Sequence, residues 1–256
     1  MLNRYDGFIF DLDGTIYLDD KIIPKADLVL NKIKSLGKKV VFISNKTTGS
    51  TKDYFKFLKK KGVDIQEDEI INSTVVTKKF LEENHSKQKF FAIGETTFIQ
   101  EIEQAGLKFV TEPNEIDIVL ITLDRTLDYT KLEIAAKALD NGAKFYAANI
   151  DNTCPVEGGE ILDAGSTISA LTKRTHRKLQ KHFGKPSKFM FDEIINFLDI
   201  PLNKCLIVGD RLETDIAMGN RFGIDTALVS TGVVNEAYSN GEYSPTYKLN
   251  SIFDVI

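Results

Sequence analysis

The chain has 256 residues, enough for one large or two modest domains with a proper core. Its hydrophobic fraction of 42% and charged fraction of 27% are those of a soluble globular protein, and a net charge of −4 leaves no basic footprint for nucleic acid. A mildly acidic surface repels anions, so any phosphate site must supply its own local positive charge.

In chain order, an apolar strand around 5–10 runs into Asp11-Leu12-Asp13-Gly14-Thr15 and a short segment to about 23. Pro24 opens a helix that ends near Leu36, stopped by Gly37. Val40–Ile43 reads as a second buried strand, followed by Ser44-Asn45-Lys46-Thr47-Thr48 and a helix from about Ser50 to Lys61. Lys59-Lys60-Lys61 ends that helix, where cations suit the dipole, and reads as a solvated face. A second series follows: a helix at 73–84, strand 90–93, helix 96–105, short strand 108–110, strand Ile116–Thr122, helix 130–140, strand 145–147 and helix 166–175. After Gly184-Lys185-Pro186 a helix runs to about Leu198. Then come the strand Cys205–Val208, Gly209-Asp210, a helix at 214–222 and the strand Thr226–Val229. Alternating strands and helices predict an α/β fold, a doubly wound parallel sheet with helices on both faces. No repeat or Pro/Gly/Ser linker marks a boundary, so a second domain must be inserted between core elements.

Cys154 and Cys205 are the two cysteines, without metal-type spacing; Cys205 opens an apolar run and reads as a core residue. That usage fits a reducing cytoplasm, and the absence of a membrane-length apolar run argues against a membrane partner. The N-terminal strand leads straight into a candidate site at residue 11, so it is expected to belong to the core rather than to a cleaved leader.

Four places carry chemistry, and three of them follow short apolar strands, beyond whose carboxyl ends open α/β sheets bind ligands. Asp11 and Asp13 stand two residues apart at a strand end, where alternating side chains can converge on one point, and Gly14 permits a sharp exit. Such an oxygen-rich site suits Mg²⁺, with one Asp as a nucleophile toward phosphorus and the other shuttling the proton. Ser44 and Asn45 offer a hydroxyl, an amide and backbone N–H groups near a helix start, as phosphate sites do. Lys185 can present a point charge to a phosphoryl group, and Asp210 with Asp215 adds carboxylates. Each also has a plain structural reading: helix cap, turn residue, or one lysine among many.

In this order the motifs Asp11–Thr15, Ser44-Asn45, Lys185 and Gly209–Asp215 resemble the haloacid dehalogenase superfamily of phosphohydrolases, nearly end to end. Leu123-Asp124-Arg125-Thr126 with Tyr129, Asn149-Ile150-Asp151, Ala164-Gly165-Ser166 and Gly209–Ile216 resemble its NagD-like, 4-nitrophenyl phosphatase branch (subfamily IIA). The resemblance implies a core at 1–72 and 178–256 and an inserted, smaller α/β cap of the C2 type at 73–177. It implies that Asp11 attacks the phosphoryl group to form an aspartyl-phosphate, and that Asp13 protonates the leaving oxygen and then activates water. Mg²⁺ would be held by Asp11, the backbone carbonyl of Asp13, and Asp210. Ser44, Asn45 and Lys185 would bind phosphoryl oxygens, and Asp215 would orient the site. A carboxylate at Asp13, where related ion-pumping ATPases carry threonine, suits prompt hydrolysis.

The branch's second Asn is Lys46 here, a cation that attracts phosphate or faces solvent, the solvent reading being preferred. The branch's Asn-Pro-Asp becomes Asn149-Ile150-Asp151, and its Pro-Gly becomes Leu162-Asp163; both changes lie in the cap and bear on substrate choice. Arg125 and Asp151 are candidate cap residues for the substrate, although Arg125 reads equally as an ion pair with an acidic neighbour. The expected function is a Mg²⁺-dependent phosphomonoesterase of small phosphorylated metabolites, acting as a homodimer by resemblance. A phosphomutase, disfavoured by the long insert, and a non-catalytic phosphate-binding protein are the alternatives. A nucleotide triphosphatase is disfavoured because no Gly-x-x-x-x-Gly-Lys-Ser/Thr loop occurs.

Overall fold

The computed structural model describes residues 1–156, 158–233 and 242–256; of the expected core segment 178–256, residues 234–241 lie outside the described ones. β1 (Gly7–Asp11) leads to a hairpin of β2 (Tyr17–Leu18) and β3 (Lys21–Ile22), then α1 (Ala26–Ser35), β4 (Lys39–Ser44), α2 (Thr51–Lys60) and β5 (Ile70–Asn72). The middle of the chain forms α3 (Ser73–His85), β6 (Lys89–Ile93), α4 (Thr96–Gln104), β7 (Lys108–Phe109), β8 (Ile118–Ile121), α5 (Tyr129–Asp140) and β9 (Lys144–Ala147). It continues through the hairpin strands β10 (Thr153–Val156) and β11 (Gly159–Leu162), α6 (Ala164–Thr175) and β12 (Lys181–His182). The last part is α7 (Lys188–Leu198), β13 (Cys205–Gly209), α8 (Ala217–Phe222), β14 (Asp225–Val229) and β15 (Tyr247–Leu249).

Six strands make one parallel sheet in the order β15-β14-β13-β1-β4-β5. β1 is entirely buried because both faces are covered, and its side chains divide by parity. Phe8 and Phe10 join Val40, Phe42, Leu206 and Val208 against α1 and α2. Ile9 joins Val41, Ile43 and Ile207 on the other face, together with Met190, Ile194 and Leu198 of α7 and Met218 of α8. That second cluster continues through Phe183 to Phe90, Ile118 and Tyr146 of a five-stranded sheet, order β12-β9-β8-β6-β7. The opposite face of this smaller sheet packs Val119, Ile121 and Phe145 against Ala135 and Leu139 of α5 and Leu171 of α6. Among the described residues, no helix is long and apolar enough to cross a membrane.

The chain order places β4 and β5 on one side of β1 and β13 to β15 on the other, so the strand order reverses beside β1. That is where an open α/β sheet leaves a crevice. The register sets Asp11 opposite Ile43 and Phe10 opposite Val208, which brings the ends of β1, β4 and β13 to one level. The predicted helices and longer strands are present; β5, β12, β15 and the two hairpins are not in the sequence reading. Their segments are two to four residues long, too short for a period to show. The last strand of the smaller sheet, at 181–182, pairs with β9 and lies past residue 177.

Candidate active site

Asp11 ends β1 and is 4% exposed; Ser44 ends β4, and Asp210 follows β13. The loop before α7 brings in Lys185, whose backbone N–H donates to Asn45 Oδ1 at 2.7 Å. Gly184 is required there, because a Cβ would collide with the Asn45 side chain and the Ala148 carbonyl. The Lys185 ammonium donates to Asp11 Oδ1 at 2.5 Å and to Asp215 Oδ1 at 2.7 Å. Asp215 Oδ2 also accepts the Arg211 N–H at 3.2 Å, so this carboxylate is fixed by its neighbours. It is carried on a π-helical turn, Leu212–Ile216, that precedes α8.

The Asp11, Asp210 and Asp215 carboxylates offer atoms within 4.8 Å of one another. Burial raises the Asp11 carboxyl well above the ordinary range, against the pull of Lys185, and Asp215 and Asp210 push the same way. Asp210 is pushed up to about 7 by burial and by Asp215. Burial alone would lower Lys185, but Asp11 and Asp215 outweigh it and hold its ammonium charged. Fully ionised, the three carboxylates would exceed the Lys185 ammonium by two negative charges, the charge of one divalent cation. Asp11 Oδ2 is buried with no hydrogen-bond partner among the described residues, as a ligand oxygen awaiting a hard cation would be. Gly14, at φ +85°, lets the chain turn beside this cluster, and a Cβ there would run into the Asp210 carboxylate.

Asp13 is held differently. Its Oδ2 accepts the Tyr17 hydroxyl at 3.0 Å and its Oδ1 accepts Lys46 Nζ at 2.7 Å. Burial, then the Asp13 charge, keeps the Tyr17 phenol far above its ordinary range, so it remains a donor. Lys46 therefore faces Asp13 and not solvent, contrary to the preferred sequence reading; a side chain only 22% exposed reaches a carboxylate that compensates its charge. Ser44 Oγ accepts the Lys46 N–H at 3.0 Å. Together with Thr153, Cys154 and Pro155 of the β10–β11 hairpin, Asp11, Asp13, Ser44, Lys46 and Lys185 wall a cavity of about 40 Å³, room for a group of a few heavy atoms.

The other candidates have structural partners. The Asn45 amide is used by the Lys185 N–H and by Asp151 Oδ2 at 2.8 Å, so its side chain positions the lysine. Asp151 accordingly lies behind the site. Arg125 is not among the residues lining the cavity; its guanidinium clasps Glu95 at 2.5 and 2.8 Å, the ion-pair reading. With Arg125 58% exposed, Arg125→Ala is expected to cost under about 1 kcal/mol in thermal stability and to leave kcat within about twofold, as melting curves and phosphate release will show.

Sequence reasoning missed the network that joins these parts. Thr47 and Thr122 share a hydroxyl hydrogen bond at 2.6 Å, Thr122 donates to Asn149 at 3.0 Å, and Asn149 donates to Asp163 at 3.1 Å. Asp163 caps α6 and is pushed up to about 7 by burial and by Asp151. A carboxyl whose folded pKa is raised contributes stability that is present below its unfolded value and lost as pH rises through the folded one. Asp163→Asn keeps the cap acceptor, so it is expected to melt above wild type at pH 8 and to converge with it near pH 4. Departures from the branch pattern at Lys46 and Asp163 were the available signal.

Residues 8–108 match the family described as haloacid dehalogenase-like hydrolase, and residues 182–255 match a HAD-hydrolase-like family. The sugar-phosphatase AraL of Bacillus subtilis is 34% identical over 97% of this chain and 91% of its own length.

The chain belongs to the haloacid dehalogenase superfamily.

Within the superfamily it is a NagD-like phosphatase, a phosphoric monoester hydrolase. A 4-nitrophenylphosphatase from Thermotoga maritima superposes with a TM-score of 0.89 at 30% identity, covering 99% of this chain and 97% of that one. A glycerol phosphate phosphatase from Mycobacterium tuberculosis, solved in complex with magnesium, has a TM-score of 0.86 at 26% identity, covering 99% and 77%.

Proposed function

We propose that the protein is a Mg²⁺-dependent phosphomonoesterase of small phosphorylated metabolites that works through an aspartyl-phosphate. The observation that carries this is Asp11: a buried carboxylate with one oxygen on Lys185 and the other without a partner among the described residues. One Asp11 oxygen is the nucleophile while the other would take the metal, and Lys185 neutralises charge on the Asp11 side of the cavity. Asp13, which lines the same cavity, gives a proton to the leaving oxygen and then takes one from water. Ser44 adds a donor for a phosphoryl oxygen. Asp11, Asp210 and the Asp13 backbone carbonyl would hold Mg²⁺, which offsets the carboxylate excess and the phosphate charge. Tyr17 and Lys46 occupy the Asp13 carboxylate, which supports its staying off the metal.

The core is assigned to 1–72 and 183–256 and the cap to 73–182, since β12 at 181–182 pairs with β9 of the smaller sheet, with the β10–β11 hairpin of the cap closing over the phosphoryl cavity. Arg211 of the core donates to the Thr153 carbonyl of that hairpin at 3.1 Å, a contact that ties the two parts across the site. A cytoplasmic location and a homodimer complete the reading. Phosphate release from a panel of phosphomonoesters, including 4-nitrophenyl phosphate, tests it with Mg²⁺ and with EDTA. Release that requires the metal is expected; release indifferent to EDTA, or none from any ester, overturns it.

A further inference from the structure

Tyr17 is a core aromatic whose one side-chain polar atom is turned to Asp13. The ring is 3% exposed and stands edge-on to Phe57 of α2, with ring centroids 5.0 Å apart. Its backbone is tied into the loop that carries Asp13. The Tyr17 N–H donates to the Leu12 carbonyl at 3.2 Å, and the Tyr17 carbonyl accepts the Gly14 N–H at 2.7 Å. Pairing with Ile22 in the β2–β3 hairpin holds the same residue again. A tyrosine fixed at ring and backbone leaves its hydroxyl little freedom, and that hydroxyl lies 3.0 Å from Asp13 Oδ2. Lys46, on Asp13 Oδ1, is the looser restraint, because its ammonium ends a flexible stem and also feels the Asp19 charge. A carboxylate has lone pairs for about four donors, so a fixed hydroxyl on one oxygen sets its plane and still leaves a place for a proton. Tyr17 itself is not among the residues lining the phosphoryl cavity.

We infer that Tyr17 is a positioning residue for protonation of the leaving group: its hydroxyl aims the Asp13 carboxyl at the departing oxygen. The inference rests on the phosphatase reading above and adds a residue to it. As the bond from Asp11 to phosphorus forms and the ester P–O bond breaks, Asp13 in its acid form passes its proton to the departing oxygen. Water then displaces Asp11 from phosphorus and returns a proton to Asp13, while Tyr17 keeps its own proton throughout. What Tyr17 contributes to the first of these steps therefore grows with the basicity of the leaving oxygen.

The test is a series of aryl phosphates, from 4-nitrophenyl through phenyl to 4-methoxyphenyl, alike in shape near phosphorus and different in leaving-group basicity. kcat/KM is measured with Mg²⁺ for wild type and Tyr17→Phe, because it reports the steps up to release of the phenol and not the later hydrolysis. Phenylalanine keeps the ring and its packing on Phe57, and melting curves verify the fold. The 4-nitrophenyl ester is expected to stay within about threefold of wild type, since nitrophenolate departs without a proton. The 4-methoxyphenyl ester is expected to fall by about tenfold or more, a part of the roughly 10²–10⁴-fold that a placed acid supplies. The dependence of log kcat/KM on leaving-group basicity thus becomes steeper in the variant. An equal loss on every ester, no loss on any, or a collapsed melting curve overturns the inference while the phosphatase reading stands on wild-type turnover. If wild type hydrolyses none of the esters, that reading is removed, and this inference with it.

Discussion

Asp11→Asn is expected to cut phosphate release by on the order of 10⁴-fold or more, with the fold intact. Asparagine keeps the shape and can still accept the Lys185 hydrogen bond through its carbonyl oxygen, but its amide has no anionic oxygen with which to attack phosphorus. Folding survives for an electrostatic reason. The wild-type cluster crowds Asp11, Asp210 and Asp215 together, and the variant removes one charge from it. Lys185 retains Asp215 at 2.7 Å. Melting temperature in EDTA is therefore expected to equal or exceed that of wild type, whereas Mg²⁺ affinity, read by calorimetry, should fall. Metal-dependent turnover within tenfold of wild type would show that Asp11 is not the nucleophile. Lost activity accompanied by a collapsed melting curve would deny that charge crowding governs stability here.

The candidate catalytic residues were more legible in the sequence than the parts that hold them. Asp11, Ser44 and Asp210 each end or follow a buried apolar strand, and a parallel sheet brings such ends to one level, so hydrophobic pattern and residue type together point at them. Lys185 was visible only as one element of an ordered set. Its position depends on Asn45, 140 residues away, a pairing that no local pattern encodes. The same limit applies to Asp13. Its partner Tyr17 is four residues on, but Lys46 arrives from the next strand's exit and its direction is set by tertiary packing. Asn45 itself shows the cost of reading motif residues singly: an amide suited to phosphate is spent on the Lys185 backbone and Asp151. The β10–β11 hairpin was invisible because Pro155 and the exposed Gly159 and Glu160 interrupt any strand pattern. Yet that hairpin supplies Thr153, Cys154 and Pro155 to the cavity wall.

Lys185→Met probes the same cluster from the opposite side and is expected to be the most destabilising of the substitutions considered. The apolar stem is kept, so what is lost is one ammonium facing Asp11 and Asp215 in a buried setting. Removing one partner of a buried ionic network typically costs about 3–5 kcal/mol, because the remaining charge is left uncompensated. Here the remaining charges are carboxylates, which can relieve the crowding by taking up protons. Asp11 and Asp210 are already raised in the folded protein, Asp210 to about 7, with Lys185 in place. Without it they rise further, so the folded variant binds more protons than its unfolded chain between the ordinary carboxylate range and their folded values. Stability must then fall as pH increases through that window. The melting temperature of Lys185→Met in EDTA is expected to approach wild type near pH 4 and to drop well below it by pH 8. Mg²⁺ should restore much of the deficit at pH 8, since a divalent cation supplies the charge the lysine gave, while phosphate release stays reduced by about 10²-fold or more for want of a donor to the phosphoryl group. A pH-independent deficit untouched by Mg²⁺ would mean that the loss is one of packing, and that Lys185 does not serve as the counter-charge of the carboxylate cluster.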